Sequence, residues 1–245
     1  MDISKSLSIK CRILILVLFG LFSARAFAQD KVSAASIMED IREGKSINYK
    51  NATIVGDLDF TYMDDKLPEL PDNRRWWKNG GTNTVEESID VAISFVNCTF
   101  EGDVLAYIHH EKSGYTFIAD FDKDVSFKGC EFTRNAMFKY SEFDGQTVFQ
   151  GVKFQRESTF KYAEFDKRAN FSDTYFDDDA TFKYAEFDGG VSFERAVFAE
   201  SWNIKYLEAR GDFEIKGIQV KDDIDAKYTK INGRSFSSYL ISSNN

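Results

Sequence analysis

The chain has 245 residues, 43% of them apolar and 16% aromatic, with 40 acidic against 31 basic side chains and a net charge of −9. A surface of that sign repels nucleic acid and anionic lipid, so neither is an expected partner. His109 and His110 are the only histidines, and adjacent residues on a strand face opposite ways, so no metal site is expected and no cofactor is implied. From its start, the chain reads as an exported one. Lys5, Lys10 and Arg12 precede an apolar run from Ile13 to Phe22, and Ala26-Phe27-Ala28 supplies a small-x-small cleavage pattern, so residues 1–28 read as a signal peptide. The run is shorter than the roughly 20 residues a spanning helix needs, and no second apolar run follows. The expectation is therefore a periplasmic or secreted protein with no stable membrane span after cleavage; an anchor made by an uncleaved signal is the alternative. Cleavage removes four Lys/Arg and one Asp, leaving 27 basic against 39 acidic residues and a net charge of −12.

Residues 29–46 predict a capping helix. Ser36 followed by Glu39 has the form of a capping box, Ile37, Met38 and Ile41 make an apolar stripe, and Gly44 is a natural stop. From about residue 47 to residue 233 a different period takes over. Phe recurs at 127, 132, 138, 143, 149, 154, 160, 165, 171, 176, 182, 187, 193 and 198, in steps that alternate five and six. Two residues before each lies a small residue, from Val125, Cys130 and Ala136 through to Val191 and Ala196. A helix keeps a face at 3.6 and a half-buried strand at 2, so neither fits; a short strand followed by a corner, repeated, does. The register is already present at Tyr49, Ile54 and Phe60 and runs on past Phe198 through Ile204, Ala209, Ile215, Val220, Ala226 and Ile231.

Units such as Ala136-Met137-Phe138-Lys139-Tyr140 and Ala163-Glu164-Phe165-Asp166-Lys167 resemble the pentapeptide-repeat family. The resemblance implies an all-β fold, a right-handed quadrilateral parallel β-helix in which each repeat makes one side and the central and small residues point inward. Every second side is lengthened to six residues, which implies a coil of about 22 and bulging at two corners. Labelled by side, the sequence gives about seven coils, opening at Tyr49, Phe95, Phe127, Phe149, Phe171, Phe193 and Ile215. At roughly 4.8 Å per coil the body is about 34 Å long. Some cytoplasmic relatives imitate DNA with their acidity, a role an exported protein would have no partner for. The end segment 234–245, with Phe236, Tyr239, Leu240 and Ile241, reads as a C-terminal cap, or as a homodimer contact if those side chains are exposed.

Outward positions carry the candidate site. Lys139-Tyr140, Lys161-Tyr162, Lys183-Tyr184, Lys205-Tyr206 and Lys227-Tyr228 recur every 22 residues, with Tyr62 at the equivalent place in the first coil. Glu142, Glu164, Glu186 and Glu208 keep the same interval and should offset the repulsion between stacked lysines. Tandem duplication alone could have made these rows; a strip that docks an extended partner is the functional reading. Two insertions, near 63–88 and 107–118, fall at this same corner between the third and fourth sides. They bring Trp76 and Trp77, beside arginines, together with Tyr107 and both histidines to the edge, a pattern suited to protein or carbohydrate contact; folding of the tryptophans back onto the solenoid is the alternative. Cys98 and Cys130 should stack on the second side of adjacent coils, at a separation compatible with a disulfide. No nucleophile elbow or phosphate-cradling loop is present, so no catalytic residue is assigned. The expected function is an exported, non-enzymatic scaffold or binding module that contacts a protein or glycan of the cell envelope, and the alternative is a carbohydrate-active enzyme on a β-helix.

Overall fold

The computed structural model describes residues 30–71 and 83–243. Short strands alternate with corners and stack into four parallel sheets of seven, eight, nine and seven strands, one for each side of a square tube. The first-side strands run in register from Ile47–Lys50 to Phe213–Glu214, so that Tyr49 pairs with Phe95 and Phe95 with Phe127. That fixes seven coils. Every neighbour pair is parallel except for two hairpins, Tyr107–His110 with Tyr115–Phe121 and Lys230–Ile231 with Arg234–Ser235.

The alternating five and six steps explain the section of the tube. Within each side the residue two before the centre and the centre itself point inward, and from Phe127 to Phe198 all are buried. Each phenylalanine then meets its equivalent one coil away. On the fourth side Phe121, Phe143, Phe165 and Phe187 stack with ring centroids 4.9, 4.8 and 4.6 Å apart. Opposite sides meet edge to face across the lumen instead, as Phe160 and Phe171 do at 80°, and both arrangements suit the quadrupole of the ring. Beyond Phe198 the large and small positions exchange. Ala185 with Phe187 becomes Leu207 with Ala209 one coil on, and all four are buried. Volume is conserved along the side, so the tube continues with other residues.

The ends close differently. Asp30–Ser33 adds an eighth strand to the second side, paired in parallel with Ala52–Val55, and delivers the chain over the mouth of the tube. The helix Ala34–Arg42 therefore starts earlier than its capping box indicates: its N-cap is Ser33, with no side-chain cap, and Ser36 Oγ donates to Ser33 O at 2.8 Å. The strand pairing, rather than the Ser36/Glu39 pattern, sets the helix start. Ala34, Ile37, Met38 and Ile41 are buried against the first coil. The helix ends at Gly44, whose φ of +73° lets Gly44 N reach Ile41 O and Lys45 N reach Asp40 O, each at 2.9 Å. At the far end the helix Phe236–Ser243 buries Phe236 against Trp202 and Phe213. It leaves Ile224, Leu240 and Ile241 exposed at 44%, 37% and 69%, the residues a homodimer through this end would cover. Among the described residues no helix is long and apolar enough to cross a membrane.

Candidate functional site

The coil turns through corners of two kinds. After the first and third sides the step is five residues, and a β-turn bond closes it, from Val152 N to Phe149 O at 3.2 Å and from Ala163 N to Phe160 O at 3.1 Å. The residue just before each donor has positive φ. Such a position normally takes Gly or Asn, because a Cβ is strained there. The first-side corner mostly obeys, with Asn51, Asn97, Gly129, Gly151, Asp173 and Gly217, and Arg195 as the exception, at φ between 53° and 74°. The third-side corner does not. Tyr62, Tyr140, Tyr162, Tyr184, Tyr206 and Tyr228 occupy it at φ between 51° and 65°.

These tyrosines form a ladder. Rings 140, 162, 184, 206 and 228 lie 4.9, 4.6, 4.6 and 4.8 Å from one another, within 23° of parallel. The preceding lysines lie over them, with Lys139, Lys161, Lys183, Lys205 and Lys227 Nζ between 4.7 and 5.8 Å from their own tyrosine centroids. Several of these corners are also held by the residue before the central one: Thr159 and Thr181 Oγ1 accept from Lys161 and Lys183 N, and Asn203 Oδ1 accepts from Lys205 N. Tyr62 does not join the stack, because the second coil reaches the equivalent point at Ile108, inside a hairpin that leads the chain away. Tyr62 serves the N-terminal lid instead. Its hydroxyl donates to Met38 O at 2.9 Å, Arg42 lies 4.8 Å over its ring, and burial pushes its pKa up to about 12.

The glutamate row does not pair with the lysines. Lys and Tyr end the third side, whereas Glu142, Glu164, Glu186 and Glu208 stand on the fourth, beyond the corner. None of the five row lysines makes an ion pair among the described residues, and Glu208 pairs with Lys230 at 2.7 Å. Other faces are laced by ion pairs between coils: Lys153 with Glu131, Arg195 with Asp173 at 2.6 Å, and Arg168 with Asp212 and Glu214. The lysine row has mostly its own members for company. Partial burial, then Lys139 and Lys183, lower the pKa of Lys161; partial burial, then Glu142 and Glu186, raise that of Glu164. Beside the lysines a groove of about 550 Å³ crosses the third side, with Lys161 and Lys183 on one bank, Glu157, Asp178 and Asp179 on the other, and Thr181 and Asn203 in its floor.

The described parts of the insertions meet one another and the body. The second lengthens the fourth side: Tyr115–Phe121 pairs in parallel with Thr84–Ile89 and antiparallel with Tyr107–His110, so it is a strand extension as well as a corner. Tyr115 hydroxyl donates to Pro71 O at 3.2 Å, and Lys66 pairs with Glu87 at 2.5 Å. The histidines are used locally. His109 Nδ1 lies 3.0 Å from Thr116 Oγ1, and His110 Nδ1 lies 2.8 Å from Ser113 Oγ. Trp76 and Trp77 lie outside the described residues. Tyr107 lies on this edge: its ring leans on Tyr140 at 5.9 Å, and its hydroxyl accepts from Lys139 Nζ at 3.2 Å. Its position in the coil matches that of Lys139.

Cys98 and Cys130 stack where the register places them, since Thr99 pairs with Glu131. Both are buried free thiols. Hydrogen bonding between them lowers the pKa of Cys98 to about 6, and the same contact with burial holds that of Cys130 well above the usual thiol range.

In-register parallel strands on four sides, a lumen filled by Phe and small residues, and outward rows repeating once per coil define a repeat scaffold. Residues 138–186 match the family model described as pentapeptide repeats, in nine copies, so that stretch of the tube is built of pentapeptide repeats. Comparison with curated proteins and with solved structures finds no match.

Proposed function

We propose that this pentapeptide-repeat scaffold is an exported, non-enzymatic binding module whose contact edge, facing a protein or glycan of the cell envelope, is the corner between the third and fourth sides. One observation carries the reading. At the first-side corner the turn takes mostly residues suited to positive φ, while at the third-side corner the same turn takes tyrosine in six coils. Left-handed backbone costs a residue with a Cβ roughly 1–2 kcal/mol, and a strained position retained in coil after coil points to use. Export rests on the leader pattern of residues 1–28, which lie outside the described residues. The test is capture from a native envelope fraction by the full chain and by a Tyr162→Ala/Tyr184→Ala variant. Loss of a specific protein or glycan in the folded variant is expected, and unaltered capture would remove this edge.

The groove on the third side favours the second reading, a carbohydrate-active enzyme, because Glu157, Asp178 and Asp179 gather beside Lys161 and Lys183. Release of reducing ends or of unsaturated sugars from envelope polysaccharide by the purified chain, abolished by Glu157→Gln, would establish it.

A further inference from the structure

Three properties of the lysine–tyrosine corner narrow what can lie along it. The first is that the tyrosine faces are already taken. With centroids 4.6–4.9 Å apart, each ring covers the face of the next, so no ligand ring can stack between them. What remains outward is a line of phenol hydroxyls beside a line of ammonium groups. Among the described residues, no hydroxyl of Tyr140, Tyr162, Tyr184, Tyr206 or Tyr228 donates to a protein acceptor, and of the five ammonium groups only that of Lys139 makes a hydrogen bond, to Tyr107. The edge therefore offers donors and asks for acceptors.

The second property is sign. The rest of the surface is acidic and repels polyanions at large, while this strip brings five cations together without a carboxylate in ion-pair range. An anion seated on it would relieve repulsion that the fold holds in place.

The third is spacing. The donors recur at the coil interval, about 4.8 Å. An acidic peptide in extended form presents side chains to one face only every second residue, roughly 6.6–6.8 Å, and falls out of step within two contacts. A chain of linked hexuronates advances by about one coil per sugar and offers each coil an acceptor oxygen, carboxylate or hydroxyl, and its hydroxyls suit the Thr181 and Asn203 floor of the adjoining groove.

We propose that the strip of Lys161, Lys183 and Lys205 with Tyr162, Tyr184 and Tyr206 is a binding site for a linear, carboxylate-bearing polysaccharide of the uronic-acid type, laid along the tube axis with one sugar per coil. This rests on the binding-module reading of the same corner. Carboxylates take charge-assisted hydrogen bonds from the ammonium groups and further ones from the phenol hydroxyls.

The test is titration of the full-length chain, by calorimetry at low ionic strength, with a hexamer of α-1,4-linked galacturonate. The comparison ligands are its methyl ester, a poly-aspartate peptide and a single-stranded oligonucleotide of equal charge. Binding of the hexamer should weaken as salt is raised and exceed that of the ester at least tenfold. Lys161→Gln/Lys183→Gln/Lys205→Gln should lower it tenfold or more without lowering the melting temperature, Tyr162→Phe/Tyr184→Phe should lower it several-fold, and Lys128→Gln on the first side should leave it alone. Equal binding of the ester, or of the triple variant, would overturn the proposal, as would peptide or oligonucleotide binding as tight as the hexamer. If the hexamer does not bind while the envelope capture above still depends on Tyr162 and Tyr184, the uronate assignment falls and the binding edge stands; if both fail, both readings fall.

Discussion

The two tight corners make the same turn from different material. At the first-side corner Gly151 has φ of +68°, and at the third-side corner Tyr162 has φ of +59°. Both follow a fully buried phenylalanine, Phe149 and Phe160, and both are closed by the same backbone bond. Backbone geometry therefore does not call for tyrosine. What tyrosine adds is the ladder: stacked aromatic pairs contribute about 0.5–1.5 kcal/mol each, and a lysine over a ring adds roughly 0.5–1 kcal/mol where exposed. Those gains are of the same size as the left-handed strain of roughly 1–2 kcal/mol. The tyrosine corner is thus nearly neutral for stability, and its rows are free to be kept for what they contact.

The comparison presumes a lumen indifferent to which corner follows, and the largest effect tests that. Phe149→Ala and Phe160→Ala each empty a fully buried site one ring deep, and each should cost about 3–5 kcal/mol in denaturant unfolding. A difference of more than about 2 kcal/mol between them, the width of the range for this substitution, would mean that the corners brace the lumen unequally.

The next test isolates the turn. A Cβ at Gly151 would meet nothing closer than the Gly129 Cα at 3.7 Å, so Gly151→Ala adds no clash and reports backbone strain alone. It should cost roughly 1–2 kcal/mol. The matching pair on the other corner is Tyr184→Ala and Tyr184→Gly. Alanine keeps the strain and loses two stacked neighbours and Lys183, so it should cost about 1–3 kcal/mol. Glycine loses the same contacts and the strain with them, so it should be the more stable of the two by roughly 1 kcal/mol. Alanine equal to glycine here would show that the tyrosine backbone is unstrained and remove the argument for use.

These corners also show how far the sequence could be read. Period, side assignment and coil count are written in Phe and its small companion because every coil offers the same large and small space to fill, and the stacking of Cys98 on Cys130 follows from counting. The N-terminal strand Asp30–Ser33 was hidden because Asp-Lys-Val-Ser has no inward pair of its own; it is a strand only because the second side offers an unpaired edge. The helix start moved with it. Positive φ at six tyrosines could not be read from residue preference, which argues the other way, and the silent lysine–glutamate pairing depends on which side of a corner each residue stands. Equal spacing of Lys and Glu along the chain says nothing of that angle. Trp76 and Trp77 fall in an insertion with no period, and residues without a repeat carry no register to place them.

The smallest expected effect concerns charge along the tyrosine corner. The first-side corner alternates its charges, with Arg195 on Asp173, whereas Lys161 has Lys139 and Lys183 above and below it, and Glu157, Asp178 and Asp179 only across the groove. Partial burial and those two lysines disfavour its ammonium form and lower its pKa. A basic group with a depressed folded pKa destabilises the fold while charged and ceases to do so once deprotonated, so its contribution to stability rises as pH climbs through the lowered value. The unfolded chain titrates its lysines near 10.4 and its tyrosines near 10, so the alkaline limb mixes both. The difference between wild type and Lys161→Gln separates them, since the tyrosines are common to both proteins. Wild type should gain on Lys161→Gln in melting temperature as pH rises from neutral toward that limb. At neutral pH, added salt should close the same gap by screening the lysine row. Parallel curves for the two proteins in both pH and salt would mean that the row is relaxed as it stands, and the corner would lose its claim to be holding charge for a ligand.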